Sequence, residues 1–195
     1  TPSVKHSVEE TNRDKLLCPL RVTHFRGLIA RPNCLAADRL DIQFSIQEVC
    51  RWMASPTELG VQDVKRLARY LLGRARLQYE YQWQDTGTLE VFSDTDWAGC
   101  LRTRKSTSGG CAMLGRHFIK SWSSTQPSIS LSSGEAEMVG ATIAIGAGIG
   151  ISSLLRDLGA KYKLRVWTDS TASIGICSRQ GIGKIRHFET RFMRI

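Results

Sequence analysis

Apolar residues in the first part of the chain recur at intervals of three and four, the spacing of an amphipathic helix. Three such runs occur, carried by Phe25, Leu28 and Ile29, then Ile42, Phe44, Ile46 and Val49, then Val64, Leu67, Leu71 and Leu72. The segment ASPTELG precedes the last run and contains a threonine that can cap a helix, while Gly73 can end that helix. The pattern predicts three helices over residues 21–73.

After residue 76 the pattern changes to strands. The segment LQYEYQW alternates apolar and polar residues, which predicts a half-buried strand over residues 77–83. Three further runs, LEVFSD, GGCAML and HFIKSWS, have polar or glycine-containing connections that suit antiparallel neighbours. A helix over 133–158, the strand KLRVWTD and a helix over 170–179 follow. This order predicts an α/β domain with a mixed β-sheet and flanking helices.

The chain therefore divides into three parts. Residues 1–19 are polar, lack apolar periodicity and contain helix breakers, so we expect a flexible lead-in. Residues 20–86 form the small helical segment, and residues 87–195 form the α/β domain. With 195 residues, 42% of them hydrophobic, the chain can bury a core of ordinary size.

Composition narrows the function classes. The 27 Lys and Arg residues outnumber 18 Asp and Glu, and the net charge of +9 favours a polyanionic partner such as nucleic acid. The six cysteines never form a CxxC pair, so no zinc cluster or thioredoxin-like site is indicated. We find no apolar run of about 18 residues and no signal peptide in the polar start, and we expect an intracellular protein that is neither secreted nor bound to a membrane.

Three acidic residues lie where predicted elements meet. Asp94 ends the run LEVFSD, Asp169 ends KLRVWTD, and Glu137 lies in the first turns of the helix between them. Because such positions converge at one edge of an α/β sheet, the three carboxylates can lie close together. Like charges packed this way oppose folding unless a cation lies between them, and oxygen ligands favour Mg²⁺ or Mn²⁺. Taken singly, each acid could also be a turn former or a helix cap.

Four ordered blocks carry a family resemblance. FSDTDWAGCLRTRKSTSGG, SWSSTQPSISLSSGEAEMVGA, VWTDSTASIG and GKIRHFE resemble the ribonuclease H domain of copia-type retrotransposon polyproteins in order and spacing. The stretch from HFRGLIARP to LQYEYQW is similar to the connection segment between polymerase and ribonuclease H. The resemblance implies a ribonuclease H-like fold and an endonuclease that hydrolyses the RNA strand of RNA/DNA hybrids with two Mg²⁺ or Mn²⁺ ions. It also implies a polymerase domain in the same polyprotein, in a cytoplasmic particle or the nucleus.

Carried over by position, the resemblance implies a set of four metal-binding acids: Asp94, Glu137, Asp169 and Glu189. Glu189 stands in HFE, where most relatives have aspartate, so its carboxylate is one methylene farther out. His187 precedes it and would lie near the scissile phosphate, or it is a structural histidine. Asp96 is expected to be a turn residue or to support the site from behind the metal ligands.

Candidate contacts to nucleic acid lie in three of the blocks. They are Arg102, Arg104 and Lys105 in LRTRKSTSG, Ser123, Ser124 and Gln126 in SWSSTQ, and Lys184 and Arg186 in GKIRHFE. Recognition of a hybrid requires contacts to the 2′-hydroxyls of RNA and to the phosphates of DNA, and these side chains can make both. The alternative for the first loop is a solvated hairpin connection.

Two other functions stay open at this point. Glycines at 140, 146, 148 and 150 lie inside the predicted long helix, and each costs roughly 1 kcal/mol relative to alanine. Together with Glu189 they suggest a catalytically decayed nucleic-acid-binding or connection module. A transposase or integrase relative would share the fold and the acids, although the connection-like segment favours a reverse transcriptase.

Overall fold

In the computed structural model the chain divides into two compact units, Thr1–Glu80 and Tyr81–Ile195, here called the helical unit and the sheet unit. The structure describes residues 1–178. The sequence analysis ends the helical segment at residue 86, and that assignment of domains stays a prediction.

The helical unit contains four α-helices, which are α1 (Val8–Arg13), α2 (Pro19–Leu35), α3 (Leu40–Cys50) and α4 (Glu58–Gly73). A 3₁₀ turn, Arg51–Met53, follows α3. Thr57 accepts a hydrogen bond from the Gly60 N–H and so caps α4, as ASPTELG predicts. The three helices predicted from apolar spacing are confirmed as α2, α3 and α4.

Two groups of buried side chains form the core of the helical unit. They are Leu17, Phe25, Ile29, Val49 and Trp52 in one group and Ile42, Ile46 and Leu67 in the other. Gly60 lies against the first group, where an added Cβ would be 3.0 Å from the rings of Phe25 and Trp52. Glycine at this position therefore lets helix α4 approach α2 and the 3₁₀ turn without displacing the two rings.

The N-terminal residues differ from the flexible lead-in that their composition suggested. Helix α1 begins with a capping box between Ser7 and Glu10. Leu17 is only 8% exposed, and its N–H donates to the Pro56 carbonyl at 2.9 Å. His6 hydrogen-bonds Asp63 at 2.9 Å. One buried leucine, a helix cap and hydrogen bonds to the distant residues Pro56 and Asp63 hold the segment, and its average composition does not reveal them.

The described part of the sheet unit has four strands, which are β1 (Thr88–Asp96), β2 (Thr107–Leu114), β3 (His117–Thr125) and β4 (Lys163–Thr168). Their order is β3-β2-β1-β4, with β1 antiparallel to β2 and parallel to β4. The long helix α5 (Ser133–Asp157) connects β3 to β4, and α6 (Thr171–Cys177) follows β4. The mixed sheet with flanking helices confirms the predicted α/β, ribonuclease H-like fold.

Helix α5 packs on the sheet through a row of small buried residues spaced four apart: Ala136, Gly140, Ala144 and Gly148. A Cβ at Gly140 would lie 2.3 Å from the Thr95 Oγ1, and one at Gly148 would lie 2.8 Å from the Leu164 Cδ1. Gly146 and Gly150 meet nothing within 4 Å. The four glycines are therefore not equivalent, because two of them allow the helix to reach the sheet and two lie on its outer side.

The expectation that no apolar run is long enough to cross a membrane is wrong. Helix α5 contains an 18-residue window of mean hydropathy 1.8, and residues 138–155 carry no charge. In the structure 33% of that window is buried, and the buried residues face the sheet, as in the core helix of an α/β domain. The absence of a membrane partner stays a prediction.

The strand predicted over residues 77–83 is not observed, because these described residues have no regular secondary structure. Trp83 is 98% exposed. Within the sheet unit, the Tyr81 hydroxyl donates to the Phe118 carbonyl at 3.0 Å, and the Gln84 side chain accepts from the Arg116 N–H at 2.9 Å. Side-chain hydrogen bonds, in place of the backbone hydrogen bonds of a strand, therefore attach this segment to the sheet unit. The alternation of apolar and polar residues does not distinguish these two arrangements.

The two kinds of glycine in α5 make opposite predictions. Gly146→Ala should raise the free energy of unfolding by about 1 kcal/mol, because an exposed helical glycine costs backbone entropy. Gly140→Ala should lower it by about 1–3 kcal/mol, because the new methyl group overlaps the Thr95 hydroxyl. Urea unfolding of both variants measures this, and shifts of the same sign would contradict the packing described here.

Candidate metal centre

Strand register brings Asp94 and Asp169 together. Ser93 of β1 pairs with Thr168 of β4 in the parallel ladder. The next residue in each case is an aspartate: Asp94 is still within β1, and Asp169 directly follows β4, so the two lie side by side at one edge of the sheet. Both carboxylates are exposed.

The third acid comes from the start of α5. Ser132 caps this helix by accepting a hydrogen bond from the Glu135 N–H at 3.2 Å, and the Glu135 carboxylate accepts from the Leu131 N–H at 2.8 Å. These bonds determine where the helix begins and put Glu137 in its early turns. One carboxylate oxygen from each of Asp94, Glu137 and Asp169 lies within 4.8 Å of the others. We call these three residues the acid cluster.

Within the acid cluster, the pKa of the Glu137 carboxyl is clearly shifted. Burial raises the pKa of its carboxyl to about 7, and the charges of Asp94 and Asp169 contribute to the rise. A hydrogen bond from the Thr95 backbone acts in the other direction and lowers this pKa. The three side chains thus repel one another when all are ionised.

The acid cluster fits a divalent cation. All its ligand atoms are carboxylate oxygens, which Mg²⁺ and Mn²⁺ prefer. Among the described residues, the Glu137 Oε2 is buried and accepts no hydrogen bond. A cation would supply the missing partner and offset the repulsion. Asp94, Glu137 and Asp169 are the residues that could hold it.

Of the other residues considered for the metal site, the structure describes Asp96. The Asp96 carboxylate lies over Gly99, where a Cβ would overlap it, and the Asp96 carbonyl accepts from the Gly99 N–H at 3.4 Å. Asp96 therefore belongs to the turn after β1. Glu189 and His187 lie outside the described residues, and their roles stay predictions.

The basic loop candidates lie between β1 and β2. Arg102 and Arg104 are exposed and Lys105 is half-buried. Ser123 and Ser124 are half-buried on β3, and as neighbours on a strand they lie on opposite faces of the sheet. Their roles as nucleic-acid contacts stay predictions. Lys184 and Arg186 lie outside the described part of the chain.

Gln126 does not occupy the position of a nucleic-acid contact. Its side chain is 1% exposed and hydrogen-bonds Ser108, Ala136 and Ser130 inside the sheet unit. The resemblance placed it in a surface block, but burial and satisfied hydrogen bonds leave it no group for an outside ligand. This part of the prediction is corrected.

Sequence reasoning missed Thr95. Its backbone N–H donates to the Asp94 Oδ1 at 2.8 Å, and its backbone acts to lower the pKa of the Glu137 carboxyl. This amide therefore orients Asp94 and favours the ionised form of Glu137. The alternation of β1 was the available signal, since it puts Ser93 and Thr95 on the face that α5 covers.

Comparison with known proteins finds similarity to Pol polyproteins of plant retrotransposons. The chain is 33% identical over 159 residues to the retrovirus-related Pol polyprotein from transposon RE1 of Arabidopsis thaliana, covering 80% of the chain and 11% of that polyprotein. It is 27% identical over 189 residues to the Pol polyprotein from transposon TNT 1-94 of Nicotiana tabacum, covering 91% of the chain and 14% of that protein.

A further relative is the uncharacterized mitochondrial protein AtMg00810 of Arabidopsis thaliana, which is 37% identical over 114 residues. That match covers 58% of the chain and 47% of the relative, so the chain spans less than half the length of these proteins. No family model matches the chain. The similarity to Pol polyproteins over most of the sequence, on a ribonuclease H-like fold, identifies the chain as similar to a segment of the Pol polyproteins of copia-type retrotransposons.

Proposed function

We propose that the sheet unit is a metal-dependent endonuclease that hydrolyses the RNA strand of RNA/DNA hybrids during reverse transcription of a retrotransposon. The observation that carries this proposal is the acid cluster, in which three carboxylates distant in sequence meet within 4.8 Å. The four ordered sequence blocks and the Pol polyprotein relatives support it. The polymerase domain of such a polyprotein is the proposed partner, in a cytoplasmic particle or the nucleus.

The chemistry follows from the kind of ligand set. Two Mg²⁺ or Mn²⁺ ions, when bound, polarise the attacking water and neutralise the leaving oxygen of a phosphodiester. Asp94, Glu137 and Asp169 supply oxygens for the ions, and Glu189 is the proposed fourth ligand. The Thr95 amide donates a hydrogen bond to the Asp94 carboxylate and so orients it. The proposed products are a 5′-phosphate and a 3′-hydroxyl.

Charge supports a nucleic-acid substrate. The acid cluster lies in a chain of net charge +9, and the connection between β1 and β2 presents Arg102 and Arg104 to solvent. Such residues bind phosphates without reading sequence. We propose that this loop holds the backbone of the hybrid next to the acid cluster.

The structure weakens one argument for the alternative function, a catalytically decayed module, because that argument relied on the glycines of α5. Two of the four helix glycines, Gly140 and Gly148, lie where side chains would overlap the sheet. They are therefore no sign of decay. Gly146, Gly150 and the longer side chain of Glu189 stay as the arguments for a weakly active copy.

Metal binding should stabilise the fold. Saturating Mn²⁺ should raise the midpoint of thermal unfolding of the wild-type chain, since a ligand at 100 times its dissociation constant adds about 2.7 kcal/mol. Asp94→Asn and Asp169→Asn should lose most of this rise. Asp157→Asn, a change of the same charge at the exposed end of α5, should keep it. A rise that survives in Asp94→Asn would place the metal elsewhere.

Without metal, the Glu137 carboxyl should make stability depend on pH. Its pKa is about 7 in the folded chain against an ordinary value of 4.5. Below pH 4.5 the group is protonated in both states and costs nothing. As pH rises from 4.5 to 7 the unfolded state ionises first, so stability is lost, and the loss levels off above pH 7.

Glu137→Gln removes this dependence. In chelator-treated protein its advantage over the wild type should grow between pH 4.5 and 7 to about 1–2 kcal/mol, a value reduced for partial exposure of the side chain. Urea unfolding over this pH range measures the difference. A difference that does not vary with pH would show that the carboxyl is not perturbed.

The activity itself is tested with a hybrid whose RNA strand is labelled. With Mn²⁺, the wild-type chain should cut the RNA strand and leave a DNA duplex intact. Asp94→Asn and Asp169→Asn should slow cleavage about 10³-fold, because each removes several kcal/mol of stabilisation of the transition state. Undiminished cleavage in these variants would assign the activity to a contaminant. A wild-type chain that binds metal without cleaving would favour the decayed module.

A further inference from the structure

A buried glutamine joins the helix that carries Glu137 to the sheet. The Gln126 Nε2 donates to the Ser108 Oγ on β2 at 2.8 Å and to the Ala136 carbonyl on α5 at 2.8 Å. Its Oε1 accepts from the Ser130 hydroxyl at 3.1 Å. Because a carbonyl can only accept, the bond to Ala136 determines which end of the amide faces the helix. Both amide hydrogens and the carbonyl of this side chain are used.

The helix residue that Gln126 binds directly precedes Glu137. Any movement of the Ala136 carbonyl relative to β2 also moves the Glu137 backbone. Ser130 extends the connection, because its own carbonyl accepts from the Trp97 Nε1 at 3.1 Å. A continuous set of hydrogen bonds therefore runs from the turn after β1, through Ser130 and Gln126, to the first turns of α5.

Local capping cannot supply this restraint. In the described part of the chain, the Ser132 and Glu135 side chains accept hydrogen bonds from backbone N–H groups of the same segment, at exposed positions. They determine the residue at which α5 begins, but not its distance from the strands. One turn beyond Ala136, Gly140 packs closely against Thr95, a contact that is steric and not directional. Gln126 adds directional bonds to this contact, in a buried environment where each hydrogen bond is strong.

We propose that Gln126 is a positioning residue that holds Glu137 at the right distance from Asp94 and Asp169 to bind a divalent cation. The inference rests on the proposed function of the acid cluster. Metal sites tolerate only small displacements of their ligands, and residues that orient ligands typically change metal affinity about 10–100-fold when replaced.

The test uses Gln126→Met, which keeps the length of the side chain and removes its hydrogen bonds. Leu164→Ala is the control, because Leu164 contacts α5 near Gly148 at the far end of the helix and its truncation also destabilises the domain. Two quantities are measured in the full chain under folding conditions. They are the Mn²⁺ dissociation constant and, without metal, hydrogen exchange of peptides covering 133–140 and 148–157.

We expect Gln126→Met to weaken Mn²⁺ binding about 10-fold and to speed exchange in 133–140 but not in 148–157. Leu164→Ala should speed exchange in 148–157 and keep the wild-type Mn²⁺ affinity. Ser130→Ala, a smaller change that removes one partner of Gln126, should shift both quantities in the same direction by less.

Wild-type Mn²⁺ affinity in both Gln126→Met and Ser130→Ala would overturn the inference. So would an equal loss of affinity in Leu164→Ala, since general destabilisation would then explain the effect. Failure of the wild-type chain to bind Mn²⁺ would instead overturn the proposed function. In that case unchanged exchange in 133–140 would separately show that Gln126 does not restrain the helix.

Discussion

Helix α5 lies directly on β1 because glycine stands where a side chain would otherwise hold the two apart. At Gly140 the space of a Cβ is taken by the Thr95 hydroxyl, and at Gly148 by the Leu164 side chain. This close contact brings the early turns of α5 to the edge where β1 and β4 end. The acid cluster exists only because of it, since neither strand supplies the third carboxylate.

The same geometry creates an electrostatic cost. Burial and two neighbouring acids raise the pKa of Glu137 to about 7, and one of its oxygens has no hydrogen-bond partner among the described residues. A fold that assembles such a site must be stabilised elsewhere. The apolar contacts of Val91, Ala112 and Ala144 beneath α5, and the bonds of Gln126, are suited to that role. The surplus of basic residues over the whole chain is consistent with a polyanionic substrate beside the acids.

Buried polar groups, more than apolar ones, organise this edge of the sheet. Ser93, Thr95 and Ser108 face α5 where a typical core would have aliphatic side chains. Small hydroxyl residues leave room for the helix, and Gln126 uses one of them as an acceptor. Among the described residues the Ser93 and Thr95 hydroxyls are buried without a hydrogen-bond partner, so the directional bonds that position α5 at this edge come from Gln126.

The sequence by itself determined the order of the helices and strands, the mixed sheet and the identity of the three acids, because these depend on periodicity, on caps and on motifs that are local along the chain. It predicted a strand over residues 77–83, where apolar and polar residues alternate but no strand forms. It predicted too little order for residues 1–19, which one buried leucine helps to hold in place. Only the tertiary structure decided that Gln126 is buried, that Gly140 and Gly148 differ from Gly146 and Gly150, and that Glu137 comes to lie beside Asp94 and Asp169. These properties depend on which distant residues come within a few ångströms, and no local pattern contains that distance.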